Sequence, residues 1–179
     1  MTLRIELAEP SMASLDALEA DSLAAFVGAE RPLSGLPCLV DWRLAGAVSR
    51  AILAGTVTPE HGEALLLPSG SRLRAARIFV FGVDDTSPRA IALAVRHACE
   101  ALRRAGAREI LIAFPLGAPL PVAARAWVES AAVARFARQV VLGDVRALAP
   151  ALEGAARDLG VTIEVTRTTA RVEQPPPTA

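Results

Sequence analysis

"RIFVFGVDDTSPRAIALAVRHACEALRRAGAREILIAF", residues 77 to 114, holds three successive periodicities, and reading them decides the fold class. Arg77 to Val83 is a nearly continuous apolar run bounded by Gly82 and two aspartates, the pattern of a strand covered on both faces and expected at the centre of a sheet. Ser87 and Pro88 then supply an N-cap and a proline in the first helical position. Ile91, Val95, Ala98 and Leu102 trace one helix face before Gly106 ends it. Ile110 to Phe114 is a second buried strand. A buried strand, a capped helix and another buried strand, in that order, predict a parallel sheet with helices on its faces.

The same alternation extends both ways. Leu3, Ile5 and Leu7 alternate with polar neighbours, and Ser22 to Val27 forms a short apolar run, so both read as opening strands. From Leu36 to Leu53 the residues Val40, Leu44, Val48 and Ile52 recur at fours, with Ala47 and Ala51 in the same stripe, which predicts one amphipathic helix. Ala64 to Leu67 is a strand, Pro121 to Phe136 a helix and Val140 to Leu142 a short strand. Asp144 caps a last helix through Leu159 that stops at Gly160, ahead of the alternating Val161, Ile163 and Val165. The expected architecture is a single three-layer α/β/α domain over residues 1–171, with a mixed, mainly parallel sheet. Residues 172–179 are proline-rich and polar and read as a disordered tail.

Composition narrows the chemistry. Nineteen basic residues balance nineteen acidic ones, and every basic residue is arginine. Lysine, asparagine and tyrosine are absent, which excludes Schiff-base lysines, P-loop lysines and tyrosine acids. Cys38 and Cys99 are far apart and belong to no CxxC, so zinc ribbons and thioredoxin-like motifs are excluded and a reducing cytoplasm is the expected location. No apolar run reaches the roughly 18 to 20 uncharged residues of a spanning helix. A hydrophobic fraction of 53% and a mean hydropathy of +0.39 suggest surface that an oligomer would cover. Arg72, Arg74, Arg77, Arg96, Arg103, Arg104 and Arg108 are interspersed with acids and have few aromatic neighbours, so solvated faces are expected rather than a nucleic-acid site.

Ligands in such sheets sit beyond the carboxyl ends of strands, which makes Gly82, Asp84, Asp85 and Gly117 the candidate ligand rim. The two aspartates lead into the Ser87 cap and have no histidine, lysine or tyrosine near them in sequence for acid–base work. Glu60-His61-Gly62-Glu63 lacks HExxH spacing, and His97 reads as a solvated helical residue between Arg96 and the acid Glu100. No metal, no cofactor and no catalytic residue is expected.

"ERPLSG" (30–35), "DWRLAG" (41–46), "SRAILAG" (49–55), "GEALLLP" (62–68) and "RIFVFGVDD" (77–85) resemble, in order and spacing, the N-terminal domain of the leucine aminopeptidase, or cytosol aminopeptidase, family. The resemblance is clearest from Glu30 to Asp85; beyond that only the order of elements agrees. It implies a macro-domain-like fold that precedes a separate catalytic domain holding two metal ions and forming hexamers. The family's metal ligands and its NTDAEGRL signature belong to that catalytic domain, and none of these residues corresponds to them. The expectation is therefore a non-catalytic domain that works through protein association, with itself or with a separate aminopeptidase chain. Binding of ADP-ribose or a related nucleotide is the alternative that macro domains imply. The missing asparagine and the isolated glycines Gly82 and Gly117 weigh against it.

Arg31, Asp41, Trp42 and Arg43 form the candidate interaction surface. Ser34 is a possible cap with Pro37 in the first turn of the helix it starts, Asp41 is expected to favour that helix's dipole, and Arg31 is expected to pair with Asp41. Trp42 lies off the Val40–Leu44–Val48 stripe, so it either packs under a loop or protrudes as an anchor.

Overall fold

A computed structural model describes residues 2–58, 60, 62–83 and 85–168. Seven strands, β1 (Thr2–Ala8), β2 (Ser22–Val27), β3 (Ala64–Pro68), β4 (Arg77–Gly82), β5 (Glu109–Ala113), β6 (Arg138–Leu142) and β7 (Thr162–Arg167), form one sheet in the order β3-β4-β2-β5-β6-β1-β7. All neighbours are parallel except β3 against β4. The helices are α1 (Met12–Ala17), α2 (Gly35–Arg43), α3 (Ala47–Leu53), α4 (Pro88–Arg104), α5 (Leu120–Ala134) and α6 (Val145–Leu159). Leu15, Leu36, Val40 and Val48 of α1 to α3 join one core, and Ile91, Val95, Trp127 and Leu152 of α4 to α6 join the other. The sheet is thus sandwiched between two helical layers, the expected three-layer α/β/α architecture.

Local signals fix the second half. The Ser87 hydroxyl accepts from the Ala90 N–H with Pro88 at the first helical position, and the Asp144 carboxylate accepts from the Arg146 N–H. Gly160 ends α6 at φ +65°, in the left-handed region where glycine carries no Cβ penalty.

Five features depart from the sequence reading. The centre of the sheet is β5, and β4 lies one strand in from the edge, although β4 is buried on both faces because α4 and the α2–α3 layer flank it. The six-residue α1 is too short to announce itself by periodicity. The single helix predicted over Leu36–Leu53 is two helices, broken where Ala45 and Gly46 take φ of 53° and 81°. The Gly46 N–H returns to the Asp41 carbonyl at 2.8 Å, and the Asp41 carboxylate receives the Ser49 N–H at 3.0 Å and its hydroxyl at 2.6 Å. Asp41 therefore stands in the last turn of α2 and caps the first turn of α3, rather than favouring the dipole at the start of α2. Ser34 makes no side-chain cap hydrogen bond. The spacing by fours survives the break because both helices lay Val40, Leu44 and Val48 on the same sheet face.

Charged groups stitch the amino ends of the strands. Asp21, just before β2, accepts from the N–H groups of Arg108 and Glu109 at 2.7 and 3.0 Å and from the Arg77 guanidinium at 3.1 Å, joining the starts of β2, β4 and β5. Arg138 at the start of β6 binds Glu6 of β1 through two nitrogens at 2.7 and 2.8 Å and donates to the Glu19 carbonyl. The Arg138 guanidinium on Glu6 outweighs the cost of burial and holds that carboxyl below its ordinary range.

Candidate functional site

The opposite rim, at the carboxyl ends of the strands, has a different make-up. β2 runs between β4 and β5, so the loops β2–α2, β4–α4 and β5–α5 leave the sheet side by side. They enclose a cleft of about 170 Å³ floored by Phe26, Val27 and Val83 and walled by Glu30, Leu33, Pro37, Pro115 and Leu116. The β2–α2 loop is shaped by Arg31, whose guanidinium donates to the Gly28 and Glu30 carbonyls at 2.9 and 2.6 Å; the Arg31–Pro32 peptide is cis. Gly35, at φ +61°, lets α2 start close to Leu116: a Cβ there would stand 4.0 Å from the Leu116 Cδ1.

Among the described residues, the cleft's side-chain polar groups are the Glu30 carboxylate and the hydroxyls of Ser34 and Thr86, and no arginine or histidine lines it. One carboxylate and two hydroxyls among the described side chains supply neither a nucleophile–base pair nor a cationic side chain to hold an anion. The N-terminus of α4 is closed by its own Ser87 and Pro88. Asp85 serves that closure: the Ser87 hydroxyl and N–H donate to its carboxylate at 2.5 and 2.8 Å, and these bonds hold it below the usual carboxylate range.

Gly82 is a buried residue of β4, aligned with Val27 and donating its N–H to the Glu63 carbonyl, so it sits within the sheet and not among the residues lining the cleft. Gly117 follows the wall residue Leu116, with φ +72°. Asp84 lies outside the described residues, as do His61 and the tail at 172–179. Glu30, Leu33 and Leu116 complete the rim; what identifies them is the strand order, which juxtaposes β2 with β4 and β5. Among the described residues no group of three or more histidines, cysteines or acids is placed to hold a metal.

The four interaction residues divide. Arg31 braces the cleft loop and Asp41 caps α3, so the expected Arg31–Asp41 pair does not form. Trp42 and Arg43 stay together: the guanidinium stands 5.6 Å from the indole centroid and is ion-paired to Asp16 of α1. The indole is 70% exposed. Arg74, Arg77, Arg96, Arg103 and Arg104 are engaged by Glu19, Asp21, Glu129 and Glu100. His97 is half-buried, edge-on to Phe81 at 5.8 Å, rather than fully solvated. No helix among the described residues is long and apolar enough to cross a membrane.

Comparison with known proteins agrees with this fold. The fold is similar to a Trypanosoma brucei macrodomain solved in complex with ADP, at a TM-score of 0.65 and 15% identity over 86% of this chain and 69% of that one. It is also similar to a mutant tomato leucine aminopeptidase, at a TM-score of 0.58 and 17% identity, covering 87% of this chain and 36% of that enzyme. In sequence, 84 residues are 37% identical to a probable cytosol aminopeptidase of Caulobacter vibrioides, a match spanning 45% of this chain and 17% of that relative. The profile of the cytosol aminopeptidase family's N-terminal domain matches residues 25–141, from within β2 to within β6. The chain belongs to the cytosol aminopeptidase family, through its N-terminal domain.

Proposed function

We propose that this domain is non-catalytic and works by protein association, docking a separate aminopeptidase chain through the outer side of α2 with Trp42 as its anchor. The exposed, braced indole carries the reading. Tryptophan is a costly residue to leave in water, and here Arg43, itself tied to Asp16, holds the ring from one side, so little side-chain freedom remains to be lost on docking. The family profile that matches is that of the N-terminal domain, which supports the non-catalytic part. Purified chain is expected to hydrolyse no leucyl substrate in the presence of added zinc or manganese; chelator-sensitive hydrolysis would overturn this.

Co-sedimentation with a cytosol aminopeptidase of the same cell tests the docking. Trp42→Ala is expected to weaken the complex by about 2 kcal/mol, roughly thirtyfold, because an exposed anchor contributes at the interface and little to folding. Its melting temperature should match the wild type. Equal co-sedimentation of the two proteins, or none by either, would sink the proposal.

A second reading, nucleotide binding, is favoured by the position of the cleft and by a fold shared with a macrodomain solved with ADP. The small volume and the Glu30 carboxylate oppose a diphosphate. Calorimetric titration with ADP-ribose is expected to give a Kd of about 1 mM or weaker; micromolar binding would make this the better account.

A further inference from the structure

We propose that the basin between α1 and the β3–β4 connection binds a phosphate monoester, held by Arg72 and Arg74 together with the hydroxyls of Ser69 and Ser71. The basin has a volume of about 440 Å³ and lies among these four residues, Asp16 and Leu73. Ser69 is the residue that points to a ligand. Its backbone is fully engaged, the N–H donating to the Ala76 carbonyl and the carbonyl accepting from the Arg72 N–H, both at 3.1 Å. Ser69 is only 5% exposed and lines the basin, yet its hydroxyl makes no hydrogen bond among the described residues. A buried hydroxyl left without a partner is costly, so buried hydroxyls are normally bonded. What completes this one comes from the basin.

Charge selects the occupant. Arg74 is fixed by two bonds, Nε to the Asp16 carbonyl at 3.2 Å and Nη1 to the Glu19 carboxylate at 3.3 Å, and its Nη2 has no partner among the described residues. The Asp16 carboxylate is taken by Arg43. Asp16 and Glu19 are thus each matched by an arginine, while Arg72 is exposed and has no acidic partner among the described residues, so one positive charge is left over at the basin. Guanidinium forks and hydroxyls all donate to oxygen. The three oxygens and nearly double charge of a phosphate monoester suit two arginines and two hydroxyls better than the two oxygens of a singly charged carboxylate. None of these residues lines the cleft, and Trp42 does not line the basin, so the proposal does not depend on the docking through α2.

Titration of the isotope-labelled full chain with inorganic phosphate, followed by amide NMR shifts at constant ionic strength, is the test. The shifts are expected to centre on residues 69–74 and to saturate with a Kd of about 1 mM. The N-acetyl amide of phosphoserine is the second probe: tighter binding than inorganic phosphate assigns the site to a phosphorylated chain segment, and equal binding assigns it to free phosphate. Arg72→Gln should weaken binding by about fivefold or more and leave the melting temperature unchanged, because the side chain it alters is exposed. Ser69→Ala should weaken binding likewise and, without phosphate, melt no lower than the wild type, since it deletes a buried hydroxyl that no protein group engages. A hydroxyl with only a structural role would lower the melting temperature when removed. Arg103→Gln, on the outer face of α4, should bind as the wild type does. Shifts that grow without saturating up to about 50 mM, an Arg72→Gln protein that binds like the wild type, or a Ser69→Ala protein that keeps its affinity or melts lower would overturn the proposal.

Discussion

Trp127→Ala is expected to lower folding stability by about 3–5 kcal/mol, a large fraction of the stability of a domain this size. Trp127 of α5 is fully buried, lies parallel to Phe136 with ring centroids 5.9 Å apart, and meets Phe114 at 6.4 Å. Its indole N–H donates to the Gln139 side-chain oxygen at 3.1 Å in a site closed to water. Truncation leaves a cavity between α5 and β6 and orphans the Gln139 amide, and both costs fall on the same residue. In a domain of this size the melting temperature should fall by roughly 10 °C or more. Trp127→Phe separates the two contributions: most of the packing remains, so a residual loss of about 1–3 kcal/mol reports the unpartnered Gln139. A Trp127→Ala protein that melts with the wild type would mean that α5 does not dock as described.

The second large effect is at Asp21. Burial pushes its carboxyl up, but bonds from the Glu109 and Arg108 N–H groups and from Arg77 together hold it below its ordinary range. Asp21→Ala unties the starts of three strands at once and is expected to cost about 2–3 kcal/mol, reduced from a fully buried site by the water that reaches this rim. The pH dependence has a definite sign. A carboxyl whose folded pKa is depressed contributes its full stability above the unfolded value of about 4 and loses it as pH falls through the folded one. Asp21 and Glu6 are both depressed, so wild-type stability should decline on acidification below about pH 4. Asp21→Ala should be less stable at neutral pH and show a shallower acid limb. Urea titrations at a series of pH values read both; parallel acid limbs would refute the role given to Asp21.

The β4–α4–β5 unit was legible because its determinants are local: the Ser87 hydroxyl, the ring of Pro88 and the stripe from Ile91 to Leu102 act within a few residues of one another. The place of β4 was not, since a buried run looks the same one strand from the edge as at the centre. The break at Gly46 was hidden by a hydrophobic spacing that two helices share as readily as one. Asp41 illustrates the limit for side chains. Its partner, Ser49, lies across that break, and only the turn through Ala45 and Gly46 brings them together. The cleft was half legible. Gly117 marked the β5–α5 turn, whereas Glu30 and Leu33 read as the approach to a helix, and only the place of β2 between β4 and β5 brings them to the rim.

The two rims of the sheet differ in what change they can absorb. Asp21, Arg77, Glu6 and Arg138 each serve more than one strand, so an insertion at the amino rim displaces groups belonging to several connections. At the carboxyl rim the bonds formed by Arg31 and Asp85 close within their own loops. Each of those loops can lengthen or change sequence without asking anything of a neighbouring strand. Diversification within this fold therefore has an inexpensive direction, and a designer grafting a new recognition loop would begin between Val27 and Ser34 rather than between Ala105 and Glu109.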